Sequence, residues 1–370
     1  INSKQSGKDA MEKLKSGVPG VYLIGREYFR RHKWTTFKKV GVVIVDEVHI
    51  FTNRKSAGFR SLRTLKPEWR ISMSGTPWGN RFENAWALSY WLWKPPFTPK
   101  GFWEWVSKYA LTEPLYLGGK KVIKIVGERN PGTFVSDLPC YIRPNIPPHP
   151  VVYDYLYTEL TPAQRKMYDH FEEKSYVWLG EQALVEDLPI VERIRLREMA
   201  LGTVSLDDEG NVIMTDDMKS SKEAVLKEYL ASHPDDNVLI LTHSKKYAKI
   251  IANRIPDSRL WIGETSLEER QELIEGFGTD FKYIIATVSS LAEGVDGLQH
   301  NCSTMIWLSR TENDMLNRQV EARIARPTHG NVRNTALCID IIAENTYDES
   351  ITDKLYFTHK TNRMSLEGEQ

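Results

Sequence analysis

Two hydrophobic patterns alternate along the chain. One is the short β-branched run that leads straight into polar residues, the mark of a strand buried in a parallel sheet. In the first half Val40-Gly41-Val42-Val43-Ile44-Val45 is the strongest, ending at Asp46-Glu47, with Val21–Ile24 and Arg70–Ser74 as companions. In the second half Val238–Leu241, Tyr283–Ala286 and Thr304–Leu308 repeat the theme. The other pattern is helical, as in Leu267–Gly276. Their alternation predicts an α/β fold with a parallel sheet in each half.

Between the halves, Pro139, Pro144, Pro147, Pro148 and Pro150 punctuate the exit from the first domain. A charged helical region follows from Thr161 to about Met199, opened by Thr161-Pro162-Ala163-Gln164, with threonine as N-cap and proline at the first helical position. The acidic turn Asp207-Asp208-Glu209-Gly210 and the stretch Thr215–Ser221 mark the next boundary. The expected division is a first α/β lobe over 1–145, a helical link or insertion over 146–214, a second lobe over 215–345 and a tail over 346–370.

Lysine plus arginine and aspartate plus glutamate both number 49, so any grip on phosphates must come from local patches. Arg26 to Lys39 is one such patch, interleaving cations with Tyr28, Phe29, Trp34 and Phe37; it reads equally as a nucleic-acid contact or as a solvated amphipathic helix and turn. Trp86, Trp91, Trp93, Trp103 and Trp105 read as core packing in preference to a base-stacking platform. No apolar run approaches the roughly 20 residues of a membrane span, and Ile1–Lys15 has no secretory h-region. Cys140, Cys302 and Cys338 lie far apart without metal-ligand spacing, which fits a reducing, intracellular setting without membrane partners.

Candidate chemistry sits at the strand ends. Asp46-Glu47-Val48-His49 follows the strongest strand, where ligand sites lie in open α/β sheets. There Asp46 can hold Mg²⁺ through its water shell, Glu47 can polarise a water against a nucleotide γ-phosphate, and His49 stands beside them as a relay; a surface acidic turn is the plain alternative. After the next strand comes Ser74-Gly75-Thr76-Pro77-Trp78-Gly79-Asn80, with Glu83 beyond it. In the second half, Thr242-His243-Ser244 ends a strand, Thr287-Val288-Ser289-Ser290 ends another ahead of Gly294 and Asp296, and Gln319 precedes Arg323 and Arg326. The two arginines, three apart, are expected on one helical face.

In this order the motifs resemble those of superfamily-two helicases, and most closely the Swi/Snf-type translocases, whose QxxxRxxR string they match and whose SGTPxxNxxxE string they resemble. The resemblance runs from about Val21 to Asp340. Asp296 departs from it, because Swi/Snf members usually carry asparagine there. The segment between the third and fourth motifs is also shorter than in chromatin remodellers.

The resemblance implies two RecA-like lobes with parallel sheets, joined by a short helical link, and an ATP-dependent translocase on double-stranded DNA that hydrolyses ATP between them. It implies Glu47 as the water-activating base, Gln319, Arg323 and Arg326 at the γ-phosphate, and Asp46 with His49 at the nucleotide and its Mg²⁺. It assigns Ser74, Gly75 and Thr76 to coupling, and Thr242, Ser244, Thr287, Ser289 and Gly294 to DNA phosphates. An RNA or single-strand DExH helicase, a restriction-system motor subunit and a non-hydrolysing binding module are the alternatives. A monomeric motor is expected. GxxxxGK[ST], the loop that cradles β- and γ-phosphates, does not occur; Gln5-Ser6-Gly7-Lys8-Asp9 lacks its first glycine and its hydroxyl. The expectation is therefore an N-terminally truncated fragment, inactive by itself.

Overall fold

Helices α1, Gln5–Lys15, and α2, Arg26–Arg30, flank a stretch that does not become the strand expected over Val21–Ile24. Val21 is 94% exposed, and of these residues Ile24 packs on the core. A β-prone run needs a neighbouring ladder, and among the described residues β1, Val42–Val45, pairs only with β2, Trp69–Ser72. The computed structural model describes residues 1, 5–32, 34, 40–79, 81–93, 99, 101–117, 120–143, 151–180, 182–185, 188–292, 296–325 and 335–356. Its contacts divide into two units, within 1–144 and within 145–357.

In the first unit β1 and β2 run parallel, Val42 opposite Trp69 and Val45 opposite Ser72. Between them lies α3, Ala57–Thr64, capped by Ser56, whose Oγ accepts from the Phe59 amide at 3.1 Å. After β2 come α4, Asn84–Leu92, and α5, Phe102–Tyr109, then the antiparallel strands β3, Ala110–Leu117, and β4, Lys120–Glu128, and the short α6, Thr133–Ser136. Phe59, Trp78, Phe82, Trp86, Trp105 and Phe134 form the aromatic centre of the core. Trp91 is also buried and Trp103 exposed, so most of the tryptophan cluster is packing, as expected. Phe29 and Trp34 of the basic segment are buried too, with Trp34 Nε1 donating to the Phe29 carbonyl at 2.9 Å.

The second unit begins with β5, Val151–Thr158. This stretch was expected within a helical link, yet it pairs in parallel with β14 (Ala336–Ala343) residue for residue from Val151–Ala336 to Thr158–Ala343. Its half-exposed side chains are those of an edge strand, a pattern that sequence periodicity alone does not separate from a linker. Next is α7, Pro162–Lys174, opened by the full capping box of Thr161 and Gln164. The hairpin of β6, Tyr176–Leu179, and β7, Gln182–Val185, then leads to α8, Pro189–Leu201, and the two-residue strands β8, Ser205–Leu206, and β9, Val212–Ile213.

Strands and helices then alternate: α9 (Ser221–Ser232), β10 (Val238–Thr242), α10 (Lys245–Arg254), β11 (Ser258–Trp261), α11 (Leu267–Gly276) and β12 (Tyr283–Thr287). They continue through α12 (Val288–Leu291), β13 (Thr304–Trp307) and α13 (Asp314–Glu321) to β14. The sheet order is β11-β12-β10-β13-β14-β5, parallel at every pairing. Every residue of β10 and β12 is buried, the continuous apolar reading of strands covered on both faces. Because β12 and β13 lie on opposite sides of β10, the chain changes direction there, and loops leaving the carboxyl ends of these strands open onto the crevice where α/β sheets bind ligands.

Candidate functional site

In the first unit β1 delivers Asp46 and Glu47, and two ladder-like bonds tie the chain on either side of them to β2: Met73 N donates to Val45 O at 2.9 Å and Val48 N to Met73 O at 3.1 Å. Glu47 sits in left-handed geometry, φ 46° and ψ 49°, which costs a residue with a Cβ about 1–2 kcal/mol. That twist leaves both carboxylates exposed while Val48 turns into the core. Asp46 Oδ1 accepts from the Glu47 amide at 2.9 Å.

The side chain of His49 is 5% exposed, and its Nδ1 lies 3.1 Å from Glu47 Oε2 and 3.0 Å from Ser74 Oγ. Ser74 Oγ also donates to Glu47 Oε2, at 3.4 Å, and accepts from Thr76 N at 3.1 Å. Three side chains from two motifs 25 and more residues apart thus close a polar triangle. Burial lowers the His49 pKa below the ordinary 6.5, partly opposed by the Glu47 carboxylate, so the ring is neutral near pH 7. Gly75 is exposed beside the triangle, and Asn80 lies outside the described residues. The turn is braced from behind by Trp78, whose carbonyl accepts from Asn84 Nδ2 at 3.0 Å.

In the second unit the expected hydroxyls do stand at the carboxyl ends of β10 and β12, but most are committed internally. Thr242 is fully buried, with Oγ1 3.1 Å from Ser309 Oγ, and it accepts from Ser244 N at 3.2 Å. Ser244 caps α10, accepting from Tyr247 N. Thr287 Oγ1 donates to Ser290 Oγ at 3.0 Å, and Ser290 Oγ donates to the Trp261 carbonyl at 3.1 Å. Ser289 is the exposed member. Gly294 lies outside the described residues.

Helix α13 ends at Glu321, so Arg323 does not stand on a helical face as expected. It occupies a tightened turn in which Arg323 N donates to Val320 O at 2.9 Å and Ala325 N to Glu321 O at 3.0 Å. Its guanidinium reaches back to the end of α12, donating to the carbonyls of Leu291, at 3.1 Å, and Ala292. Gln319 is half-buried on α13 itself, and Arg326 lies outside the described residues.

The SNF2-related domain model matches residues 16–200, which is half of the chain. The chain belongs to the SNF2-related domain family. It is similar to the uncharacterised ATP-dependent helicase MG018 of Mycoplasma genitalium, 23% identical over 332 residues that make up 86% of this chain and 30% of that protein. It is also similar to the probable global transactivator of Orgyia pseudotsugata multicapsid polyhedrosis virus, 24% identical over 297 residues, 77% of this chain and 58% of that one. It thus spans from under a third to somewhat over half of these relatives' lengths. Among solved structures, the Sulfolobus solfataricus SWI2/SNF2 ATPase core in complex with dsDNA aligns over 92% of this chain and 70% of that one, at 18% identity and a TM-score of 0.40.

The SNF2-related chain also carries a charge cluster that motif reading missed. Arg310, just past β13, donates from Nη2 to Asp340 Oδ2 at 2.9 Å and from Nη1 to Glu321 Oε1 at 2.6 Å, and Tyr153 Oη donates to Glu321 Oε2 at 3.0 Å. Burial works to lower the Arg310 pKa, but Asp340 and Glu321 outweigh it and hold the guanidinium charged. The cluster fixes α13, and with it Gln319 and the turn of Arg323, to β5, β13 and β14. An apolar stretch entering an arginine was the available signal, but its partners are distant in sequence.

Asp46 fits Mg²⁺ in donor type, since this ion is usually held by one or two carboxylates with water and substrate phosphates completing its octahedron. Among the described residues no group of three or more His, Cys, Asp or Glu could form an all-protein cage. Among the same residues no helix is long and apolar enough to cross a membrane.

Proposed function

We propose that the natural protein is an ATP-dependent translocase on double-stranded DNA, and that this chain supplies its water-activating carboxylate and an arginine that responds to nucleotide. The observation that carries the reading is the His49–Glu47–Ser74 triangle, because it joins the carboxylate to the turn that follows β2 through a neutral imidazole. Glu47 is the general base: its exposed carboxylate orients the attacking water and draws off its proton. His49 and Ser74 fix which carboxylate oxygen faces that water. A shift of the Ser74–Gly75–Thr76 turn on DNA would change the hold on Glu47, which is how binding of the track reaches hydrolysis.

Asp46 would hold Mg²⁺, which when bound neutralises phosphate charge. Arg323 holds the backbone after α12 and Gln319 stands beside it on α13. In this reading both meet the nucleotide when ATP is bound, together with Arg326, and Arg323 exchanges its carbonyl partners for phosphate. Ser289 and the amides around it are the first choice for the DNA phosphate contact, with Gly294 close by. Thr242, Ser244 and Thr287 serve instead by shaping the loops that carry such contacts. The same reading places the activity inside the cell, in a monomeric motor.

ATP turnover by the natural full-length protein, measured with duplex DNA, single-stranded DNA or RNA added in turn, tests the choice of track. The proposal expects the largest stimulation from duplex. Stimulation by RNA alone would replace it with an RNA helicase, and ATP-independent DNA binding without turnover would replace it with a binding module.

A further inference from the structure

The β3–β4 ribbon is built unlike the rest of the first unit. Its root is fixed: Arg129 N donates to Tyr109 O at 2.7 Å, and buried Glu128 accepts from the amides of Phe134, at 2.6 Å, and Gly132, at 3.1 Å. Tyr109 Oη and Lys108 Nζ both donate to Asp137, at 2.8 and 2.9 Å. Beyond the irregularity at Leu111/Thr112 the two strands leave the core, and 112–116 and 120–124 are exposed on both faces, Tyr116 at 68% and Ile123 at 51%. Among the described residues no third strand pairs with them.

A two-stranded ribbon is marginal in water without a partner surface, so its exposed residues are free to serve something outside the core. Their chemistry is cationic. Lys120, Lys121 and Lys124 stand there against a single carboxylate, Glu113, which faces Lys124 across the ladder. None of the three lysines has an ion-pair or hydrogen-bond partner among the described residues. Lys120 and Lys124 share one face about 13 Å apart along the strand, at roughly 3.3 Å per residue. Lys121 shares the other face with Tyr116, its cross-strand neighbour. The major groove of B-DNA is about 12 Å wide and admits a two-stranded ribbon, with phosphates along both walls.

We propose that the β3–β4 ribbon is a second duplex-DNA contact, entering the major groove with Lys120, Lys121 and Lys124 on the phosphates. The proposal rests on the DNA reading above. Lysines on exposed strands also discourage edge-to-edge aggregation, a role that any charge fulfils. Charge reversal therefore separates the two roles.

The test is duplex binding by the natural full-length protein across a salt series, comparing wild type with K120E/K121E/K124E. Each lost phosphate contact should make the negative slope of log K against log salt shallower by about 0.9, so the variant's slope should be shallower by about 2–3 and its binding at least tenfold weaker at low salt. Its ATP turnover without DNA should be unchanged. Wild-type slope and affinity in the variant would overturn the proposal. If the reversed variant aggregates, K120Q/K121Q/K124Q reads the same slope and decides in its place. A wild-type protein without duplex affinity would refute the DNA reading itself, and this proposal with it.

Discussion

Nδ1 of His49 stands 3.0 Å from Oγ of Ser74, so that one buried imidazole ties the end of β1 to the turn after β2. The same nitrogen lies 3.1 Å from Glu47 Oε2, which makes His49 a positioning residue for the carboxylate. Replacing it by alanine in the natural protein should lower DNA-stimulated kcat by about tenfold, the equivalent of roughly 1.4 kcal/mol of lost hydrogen bonding. The KM for ATP should move little. Unaltered kcat in steady-state assays would remove His49 from the account.

The link from Arg323 to Leu291 and Ala292 should show itself in stability before nucleotide is present. Arg323→Met removes donors from two carbonyls and should cost about 1–3 kcal/mol in urea unfolding of this chain. It should also abolish ATP turnover in the natural protein. A variant of full activity would show that the arginine serves only the loop.

Arg310 should be among the most costly single positions in the second unit. Arg310→Met leaves Asp340 and Glu321 buried without their cation, and should destabilise the chain by about 3–5 kcal/mol. The triple change R310M/D340N/E321Q removes the uncompensated charge and should recover part of the loss. Denaturant midpoints of the two variants measure this; equal midpoints would mean that the charges carry no such weight.

Acid should weaken the second unit through His243. This ring is held well below its ordinary 6.5 by burial, helped by Arg197 and Lys222, and its Nδ1 is 2.7 Å from Ser309 Oγ. Well above pH 6.5 neither folded nor unfolded chain protonates it. As pH falls below 6.5 the unfolded chain takes up the proton first, so stability is lost by up to about 1.4 kcal/mol per pH unit until the folded pKa is reached. His49 adds loss of the same sign. Thermal melts between pH 7.5 and 5 should show the decline, and His243→Asn should flatten it.

What could be read from sequence was local. The runs that became β10, β12 and β13 identify themselves by buried β-branched residues, and Thr161 with Gln164 announces α7 through a capping box whose partners are three residues apart. What escaped was decided by distant neighbours. Val21–Ile24 has strand composition but no ladder, and Val151–Thr158 gains one only from β14. A threonine at a strand end serves a phosphate or an internal serine equally well, and Thr242 is taken by Ser309. The spacing of Arg323 and Arg326 suggested one helix face, whereas α13 stops at Glu321 and Arg323 turns toward Leu291. The left-handed backbone of Glu47 has no local signature, because that conformation follows from the ties of Val45 and Val48 to Met73.

In the proposed function Glu47 activates water in a DNA-driven ATPase. The most direct test of this role is single-turnover ATP hydrolysis with saturating duplex DNA by the natural full-length protein and its Glu47→Gln variant, with nucleotide affinity measured alongside. Glutamine keeps the shape and the tie to His49 but cannot take a proton. Hydrolysis should fall by about 10²–10⁴-fold while ATP still binds; hydrolysis at the wild-type rate in Glu47→Gln would rule out Glu47 as the base.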